Sequence, residues 1–320
     1  MLLDHESRKQ YRGRTFRSLP SGVHQLQDCA GPYRCVLLTC LAACAPAGSR
    51  RLSPETNDRR LAPPPRTYLA PRSTGAITVD GRLDEPAWSR ARWTESFTDI
   101  EGAIRPEPRF RTRVRMMWDD RYWYVAARMA EPDLWATIRD RDAVIFRDND
   151  FELFVDPSGS ARRYFEVEMN QFATVWDLFL AKPYREGGHA DNSWNIDDLR
   201  IAVKLDGTLN DPRDRDKGWT VELAIPWAAF TDSGRNVVPP RSGDQWRVNF
   251  SRVEWDVETV GGRYRKRTDA AGKPLAEHNW VWSPQGMIDM HQPERWGVVQ
   301  FGGTTLHRSA APTVMGGSRR

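Results

Sequence analysis

Residues 150–170 read DFELFVDPSGSARRYFEVEMN, and this stretch decides the fold. Two short runs in it alternate apolar with polar side chains, and the residues PSGSAR between them favour a turn. Because alternate side chains of a β-strand share a face, the stretch predicts a hairpin with one apolar and one polar face. The predicted apolar face contains Phe151, Leu153, Val155, Phe165, Val167 and Met169. The predicted polar face contains Glu152, Phe154, Asp156, Tyr164, Glu166, Glu168 and Asn170.

Three interpretations of the polar face are open at this point. It is the solvated outer face of a sheet, a surface that accepts hydrogen bonds from sugar hydroxyls, or a pair of glycosidase carboxylates. A cluster of carboxylates is also suited to Ca²⁺. The alternation alone does not separate these functions.

Further strand patterns continue on both sides of the hairpin, with Gly, Pro, Asp and Asn between them. They are RFRTRVRMMW (109–118), RYWYVAARM (121–129), LRIAVKL (199–205), GWTVELAIPW (218–227), DQWRVNFSRVEW (244–255), NWVWS (279–283) and WGVVQF (296–301). Few stretches keep a helical period. The sequence therefore predicts an all-β protein, an antiparallel β-sandwich of jelly-roll type with few short helices, over residues 74–302.

The charge and the cysteines are distributed unevenly along the chain. Residues 1–73 hold 12 basic and 5 acidic side chains, whereas residues 74–302 hold 32 basic and 38 acidic ones. A mildly acidic body argues against a nucleic-acid partner. All four cysteines fall before residue 45, so the predicted sandwich has no disulfide framework, thiolate metal site or cysteine nucleophile.

The early cysteines are explained by the segment YRCVLLTCLAACAPAG (33–48). Its apolar run is too short to span a bilayer but suits a signal peptide, and its end, LAAC, resembles a bacterial lipoprotein signal with Cys44 as the lipidated residue. We predict a signal peptide region over 1–43, in which 1–33 reflect a start codon assigned too early. A Pro- and Arg-rich tether over 44–73 and a disordered tail over 303–320 complete the predicted organisation.

Five motifs in the same order carry a resemblance to a known family. They are ITVDGRLDEPAW (77–88), VRMMWDDRYWYVAARMAEPD (114–133), DNDFELFVDPSG (148–159), GWTVELAIPW (218–227) and NWVWSPQGMIDMHQPERWGVVQF (279–301). Together they resemble the family 9 carbohydrate-binding modules, which are DOMON-like β-sandwiches, and in particular a longer bacterial branch. The resemblance covers about residues 74–302.

The resemblance implies a non-catalytic module that holds the end of a glucan or xylan chain between two aromatic side chains. Glu152 and Asn170 correspond to the sugar-contacting glutamate and asparagine of such modules. Phe146 and Met290 fall at the two positions of the tryptophan clamp, and Glu168 falls where the family has an arginine. The site therefore departs from the family pattern at these last three positions.

A second candidate surface lies in residues 174–197, which read as a long aromatic loop. Trp176 and Trp194 are its predicted sugar platform, to which Trp255 and Trp280 are possible additions. The tryptophans within the fold-defining motifs are assigned to the core: Trp88, Trp118, Trp219, Trp227 and Trp296. Adjacent residues of one strand point to opposite faces, so Met290 and His291 are not expected to ligate one haem together.

These observations predict an exported, lipid-anchored, non-catalytic carbohydrate-binding protein. It would be a cell-envelope lipoprotein, periplasmic or associated with the outer membrane, or else a secreted protein. Its partner would be a glucan or xylan, it would touch the membrane only through its lipid anchor, and it would need no cofactor, although bound Ca²⁺ is possible. The alternatives are a glycan-active enzyme, a haem-binding DOMON-like protein and a structural surface protein on the same scaffold.

Overall fold

The computed structural model describes residues 64–235 and 238–303. The predicted signal peptide, the lipidation site Cys44, most of the predicted tether and nearly all of the predicted tail lie outside the described residues. None of the helices in the described part of the chain is long and apolar enough to cross a bilayer.

Strands and short 3₁₀ helices make up the regular structure of the described residues. The strands are β1 (Thr67–Ala70), β2 (Thr98–Asp99), β3 (Thr112–Trp118), β4 (Tyr122–Ala130), β5 (Asp150–Asp156), β6 (Tyr164–Asn170), β7 (Val175–Leu180), β8 (Ala190–Asp191), β9 (Arg200–Asp206), β10 (Gly218–Pro226), β11 (Gln245–Glu254), β12 (Val257–Val260), β13 (Arg263–Lys266), β14 (His278–Val281) and β15 (Gly297–Phe301). The 3₁₀ helices are Pro86–Arg90, Ile145–Arg147, Tyr184–Glu186, Trp227–Ser233 and Pro293–Arg295.

Two sheets stack to form the sandwich. The larger has the order β1-β15-β11-β5-β6-β7-β8, with β14 also paired to β11 and β2 paired to β14. The smaller has the order β3-β4-β10-β9, and β12 and β13 form a separate hairpin. The pairing is antiparallel except between β1 and β15, which are parallel. The predicted all-β antiparallel sandwich is confirmed.

The hydrophobic core lies between the two sheets, and the alternation predicted for 150–170 is confirmed. Phe151, Leu153 and Val155 of β5 join Val167 and Met169 of β6 in the central core cluster. The smaller sheet contributes Val114, Trp123, Val125, Trp219 and Val221, among others. The five tryptophans assigned to the core, Trp88, Trp118, Trp219, Trp227 and Trp296, are all buried.

The polar face of β5 and β6 is also covered, which alternation did not predict. All 14 residues of these two strands are buried. An outer hydrophobic cluster, which includes Phe154 and Tyr164, packs Met290 and Trp296 from the segment after β14 over this face. The hairpin therefore lies in the middle of three layers, and its carboxylates lie in an interior.

The predicted tether extends too far toward the sandwich. Residues Thr67–Ala70 form the edge strand β1, which pairs with Val298–Phe301 of β15. Tyr68 and Ala70 are buried in the core, and the Tyr68 hydroxyl donates to the carbonyl of Arg92 at 2.6 Å. The alternation in TYLA was hidden in a segment otherwise rich in proline and arginine.

Candidate functional site

The candidate site is built on a row of paired residues that crosses four strands of the larger sheet. Trp176 of β7 lies opposite Glu168 of β6, Glu168 lies opposite Glu152 of β5, and Glu152 lies opposite Ser251 of β11. Because paired residues of adjacent strands project from the same face, these side chains form one line beneath the outer layer. Asp150 lies two residues before Glu152 on the same face, opposite Asn170.

The carboxylates of this row are deeply buried. Asp150, Glu152 and Glu168 are 0%, 3% and 1% exposed, and each offers an oxygen within 4.8 Å of the others. Burial raises the pKa of Glu152 to about 7, although a hydrogen bond with the Ser251 hydroxyl offsets part of the rise and the Glu277 carboxylate adds to it. Burial, reinforced by the charge of Glu152, also raises the pKa values of Asp150 and Glu168 well above their ordinary range. The group holds protons more tightly than exposed acids do.

Phe146 and Trp176 form an aromatic pair beside this row. Their ring centroids are 6.3 Å apart with the planes inclined by 31°, and both residues are partly exposed. The backbone N–H of Phe146 donates to Glu168 at 3.0 Å, and the Trp255 indole donates to the Phe146 carbonyl at 2.9 Å. The Trp176 indole donates to Asn192 at 3.1 Å. Hydrogen bonds therefore fix the Phe146 backbone and the Trp176 indole.

Tyr184 lies at the edge of the same region, on the 3₁₀ helix Tyr184–Glu186, and is 42% exposed. The burial of its hydroxyl, and then the charges of Glu166 and Glu168, raise its pKa. Its ring contacts the imidazole of His291 at a centroid distance of 4.5 Å. Tyr184 thus presents an exposed aromatic ring that carries a hydroxyl, a combination suited to contact with a sugar.

Asn170 and Asp156 hold turns. The Asn170 amide nitrogen donates to the Ile138 carbonyl at 2.8 Å and to Asp148 at 3.0 Å, and its oxygen accepts from the N–H groups of Phe172 and Thr174. Asp156 accepts from backbone N–H groups of the β5–β6 turn. Since the amide of Asn170 is 0% exposed and bonded at both ends, the structure gives it a positioning role.

The remaining predicted site residues lie apart from the aromatic pair. Met290 is 4% exposed and packs in the outer cluster, and its carbonyl accepts from the Trp296 indole. Trp194 packs on the core side of the sheet, with its ring centroid 4.9 Å from that of Phe165. Trp176 and Trp194 do not form one platform, because the segment predicted as a loop begins with the strand β7, and the two rings lie on opposite faces of the larger sheet.

Trp255 and Trp280 have structural contacts. Trp255 packs with Trp135 and Val253 in a small cluster of its own, whereas Trp280 belongs to the central core. The pair Met290 and His291 lies between β14 and the helix Pro293–Arg295 and not on a strand, so the opposite-face argument against a shared haem was wrong in its premise. Both side chains are buried, and Nδ1 of His291 is 3.0 Å from the Tyr164 hydroxyl.

Two members of the buried group were missed at the sequence level. Asp150 shares the even-numbered parity of Glu152 and Asp156, so the same alternation could have identified it. Ser251 is separated from the hairpin by about 80 residues of chain, and only the pairing of β11 with β5 brings it beside Glu152. The site as a whole combines a buried row of carboxylate and hydroxyl oxygens with the small, partly exposed aromatic surface of Phe146 and Trp176.

The comparison with protein families agrees with this geometry. The family model for carbohydrate family 9 binding domain-like proteins matches residues 79–303. The chain therefore belongs to this family, and the resemblance predicted from the five motifs is confirmed.

Part of the chain is similar to part of an endo-1,4-beta-xylanase and of an exoglucanase. The chain is 25% identical over 165 residues to endo-1,4-beta-xylanase A of Thermoanaerobacterium saccharolyticum, which is 51% of this chain and 12% of the xylanase. It is 25% identical over 158 residues to exoglucanase XynX of Acetivibrio thermocellus, which is 49% of this chain and 12% of the exoglucanase. The chain thus matches only a small fraction of either enzyme.

A solved protein structure from Bacteroides uniformis ATCC 8492 shares the fold. It is 16% identical, with a TM-score of 0.54 over 74% of this chain and 99% of the other. A family 9 module from Caldicellulosiruptor kristjanssonii, solved with cellotriose, is also 16% identical, with a TM-score of 0.46 over 77% of this chain and 98% of that module.

Proposed function

We propose that this protein is a non-catalytic carbohydrate-binding protein whose ligand stacks on the Phe146–Trp176 pair. The observation that carries this proposal is the pair itself, two partly exposed rings next to the carboxylate row on a family 9 sandwich. Flat rings cover the apolar C–H face of a pyranose, while hydroxyl and amide groups bond its oxygens. The names of the xylanase and exoglucanase relatives favour a xylan or glucan.

The binding test uses a panel of cello- and xylo-oligosaccharides titrated into the full chain by calorimetry. Trp176→Ala should lower affinity about 5- to 10-fold, because one aromatic contact contributes about 1 kcal/mol. Trp194→Ala is the matched control: it removes the same ring from the opposite face of the sheet and should leave the sugar affinity within about 2-fold of wild type. Both variants must retain the wild-type circular dichroism.

Each other outcome has a defined meaning. Equal affinities in wild type and Trp176→Ala would move the ligand elsewhere on the module. An absence of binding by every glycan at millimolar concentration would contradict the carbohydrate function. Release of reducing sugar from any glycan by the wild type would contradict the non-catalytic part of the proposal.

We further propose that the protein is exported and lipid-anchored through Cys44. The LAAC sequence ending at Cys44 supports this, together with the short apolar run before it. Expression in a bacterial host with a clickable fatty-acid analogue tests it. The wild type should carry the label and sediment with membranes, whereas Cys44→Ser should do neither. A labelled Cys44→Ser protein, or an unlabelled soluble wild type, would overturn it.

A further inference from the structure

A row of basic side chains crosses the outer face of the smaller sheet. Arg113 of β3 lies directly opposite Arg128 of β4, and the row of paired residues continues through Thr220 of β10 to Lys204 of β9. Paired residues share a face and neighbouring strands are about 4.8 Å apart, so three cations lie along a line of about 14 Å. Val114, the neighbour of Arg113, packs in the central core, so the row points away from the core.

Trp93 provides an aromatic support for the arginines of this face. The backbone N–H of Thr94 donates to a carbonyl of β3 at 2.8 Å, which fixes the neighbouring Trp93 beside that strand. The guanidinium carbons of Arg113, Arg115 and Arg128 lie 5.4, 4.6 and 5.6 Å from the centre of the Trp93 ring. Cation–π contacts thus hold three guanidinium groups around one indole.

The protein supplies no counter-charge to the row within residues 64–235 and 238–303. None of the ion pairs there includes Arg113, Arg128 or Lys204. Burial lowers the pKa of Arg113, and the positive charges of Arg111 and Arg128 lower it further. Like charges directly opposite on paired strands destabilise a sheet. An anion bound along the row would remove this repulsion.

Arg115 shows how an arginine of the same face is used in the fold. It lies two residues after Arg113 on β3 and donates to the carbonyls of Leu83 and Trp88, at 3.1 and 3.0 Å. Among the described residues, no hydrogen bond of this kind holds the guanidinium groups of Arg113 and Arg128. Arg128 is exposed and Arg113 is half-buried. Their N–H donors are therefore available to a ligand.

The donors and their spacing indicate the class of ligand. Guanidinium groups bind carboxylate and phosphate oxygens through two parallel hydrogen bonds. A line of cations about 14 Å long suits a polymer with several negative groups better than a single small ion. The ends of this chain do not fit by charge, because residues 1–73 hold 12 basic and 5 acidic side chains and residues 303–320 hold 3 basic and no acidic ones. Charge complementarity therefore favours a separate polyanion.

We propose that Arg113, Arg128 and Lys204 bind the carboxylates of an acidic polysaccharide, one that contains uronic acids. The choice of a polysaccharide rests on the proposed carbohydrate function, whereas the anion site itself rests on the row of cations. The row lies on the outer face of the smaller sheet, and the Phe146–Trp176 pair lies on the outer side of the larger one. The module thus has two binding surfaces, one for neutral and one for acidic sugars.

The test titrates the full chain by calorimetry with hexagalacturonate, the hexamer of a uronic acid. The wild type should bind at about 0.05 M NaCl, and about 0.5 M NaCl should weaken binding at least about 5-fold, because salt screens exposed charges. Arg113→Gln and Arg128→Gln should each weaken binding about 5- to 10-fold, since each removes a charge-assisted contact. Both variants should unfold at or above the wild-type Tm, because one of two facing charges is gone.

Arg162→Gln is the matched control. It removes an exposed arginine from the turn between β5 and β6 of the larger sheet, and the affinity for hexagalacturonate should stay within about 2-fold of wild type. The wild type is titrated in parallel with neutral cello- and xylo-oligosaccharides. Neutral binding without hexagalacturonate binding would overturn the acidic site and keep the proposed function. Hexagalacturonate binding that Arg128→Gln weakens, without neutral binding, would support the row and contradict the aromatic site.

The proposal is also overturned if Arg113→Gln and Arg128→Gln bind hexagalacturonate as the wild type does, which would place the ligand elsewhere. A further outcome would assign the row to a membrane. Cys44→Ser protein, which lacks the proposed lipid anchor, is mixed with vesicles of phosphatidylglycerol and sedimented. Sedimentation that is lost on adding Arg128→Gln, together with no binding of hexagalacturonate, would indicate an anionic lipid surface and overturn the polysaccharide.

Discussion

Nη2 of Arg252 lies 2.6 Å from Oε2 of Glu131, and both side chains are 1% exposed. The same nitrogen is 2.8 Å from Glu254, and Nη1 donates to Thr112 and to the carbonyl of Ala130. One guanidinium thus joins β11 to the end of β4 and bridges two buried carboxylates. Within the described residues, the ion pairs bring a lysine or arginine to Glu131 and Glu254 but not to Glu152 or Glu168.

The first prediction concerns this arginine. Arg252→Met should lower the free energy of unfolding by about 3–5 kcal/mol, because it leaves Glu131 buried without a cation and leaves Glu254 only the more distant Arg109, at 3.8 Å. Guanidinium chloride unfolding at pH 7.5 measures the loss. Arg265→Met, which removes an exposed partner of Glu258, is the control and should cost less than about 1 kcal/mol. Similar losses in the two variants would show that the buried network contributes no more than a surface pair.

The second prediction concerns the carboxylate that fastens residues 77–91 to the smaller sheet. Glu222 accepts from the backbone N–H groups of Asp80 and Gly81 and from the Trp88 indole, at 2.9–3.0 Å. Glu222→Leu should cost about 2–4 kcal/mol, since three donors lose their acceptor. Hydrogen exchange should localise the loss: protection at residue 81 should fall, and protection in β5 should not. Unchanged protection at residue 81 would contradict this role.

The hairpin at 150–170 shows which structural features the sequence could predict. Alternation placed Phe151 and Val167 in the core and Glu152 and Glu168 together on the other face, because a pleated strand has only two sides. It could not show that a third layer covers that face. Met290 and Trp296 arrive there from more than 100 residues away, and their position depends on the path of a segment that forms no strand.

The aromatic residues show the same limit. Trp176 and Trp194 fall in one polar segment, yet their rings lie on opposite faces of the larger sheet, next to Phe146 and Phe165 respectively. The path of the chain between β7 and β9 determines the face on which Trp194 lies. The alternation of apolar and polar residues does not predict that path. Tyr68 was missed for a different reason: four strand residues are too few to stand out within a Pro-rich segment.

The third prediction tests the packing of β15. A Cβ at position 297 would overlap the ring of Trp282, which is 0% exposed and has little room to move. Gly297→Ala should therefore lower the free energy of unfolding by about 1–3 kcal/mol through overpacking. Gly75→Ala is the control, since nothing lies within 4 Å of the added methyl group. Thermal unfolding compares them, and equal Tm values for both variants would refute the close approach.

The fourth prediction is a pH dependence that arises from Lys266. Its ammonium nitrogen is 3.2 Å from the centre of the Trp255 ring, and burial lowers its pKa to about 8 from 10.5. Asp148 and Glu277 offset part of that decrease. Between pH 8 and 10.5 the unfolded chain binds more protons at this residue than the folded chain does. The free energy of unfolding should therefore increase with pH across this interval.

Lys266→Met should abolish that increase, because methionine does not titrate. Urea unfolding of both proteins at pH 7.5, 8.5 and 9.5 measures the difference, which at full effect would approach about 3 kcal/mol and is smaller here because solvent screens a partly exposed side chain. Lys273→Met, at an exposed position, is the control and should follow the wild type. If wild type and Lys266→Met show the same slope, Lys266 keeps an ordinary pKa in the folded protein. The Lys266 ammonium over Trp255 would then be a hydrated cation–π contact, and it would not lower the free energy of unfolding at neutral pH.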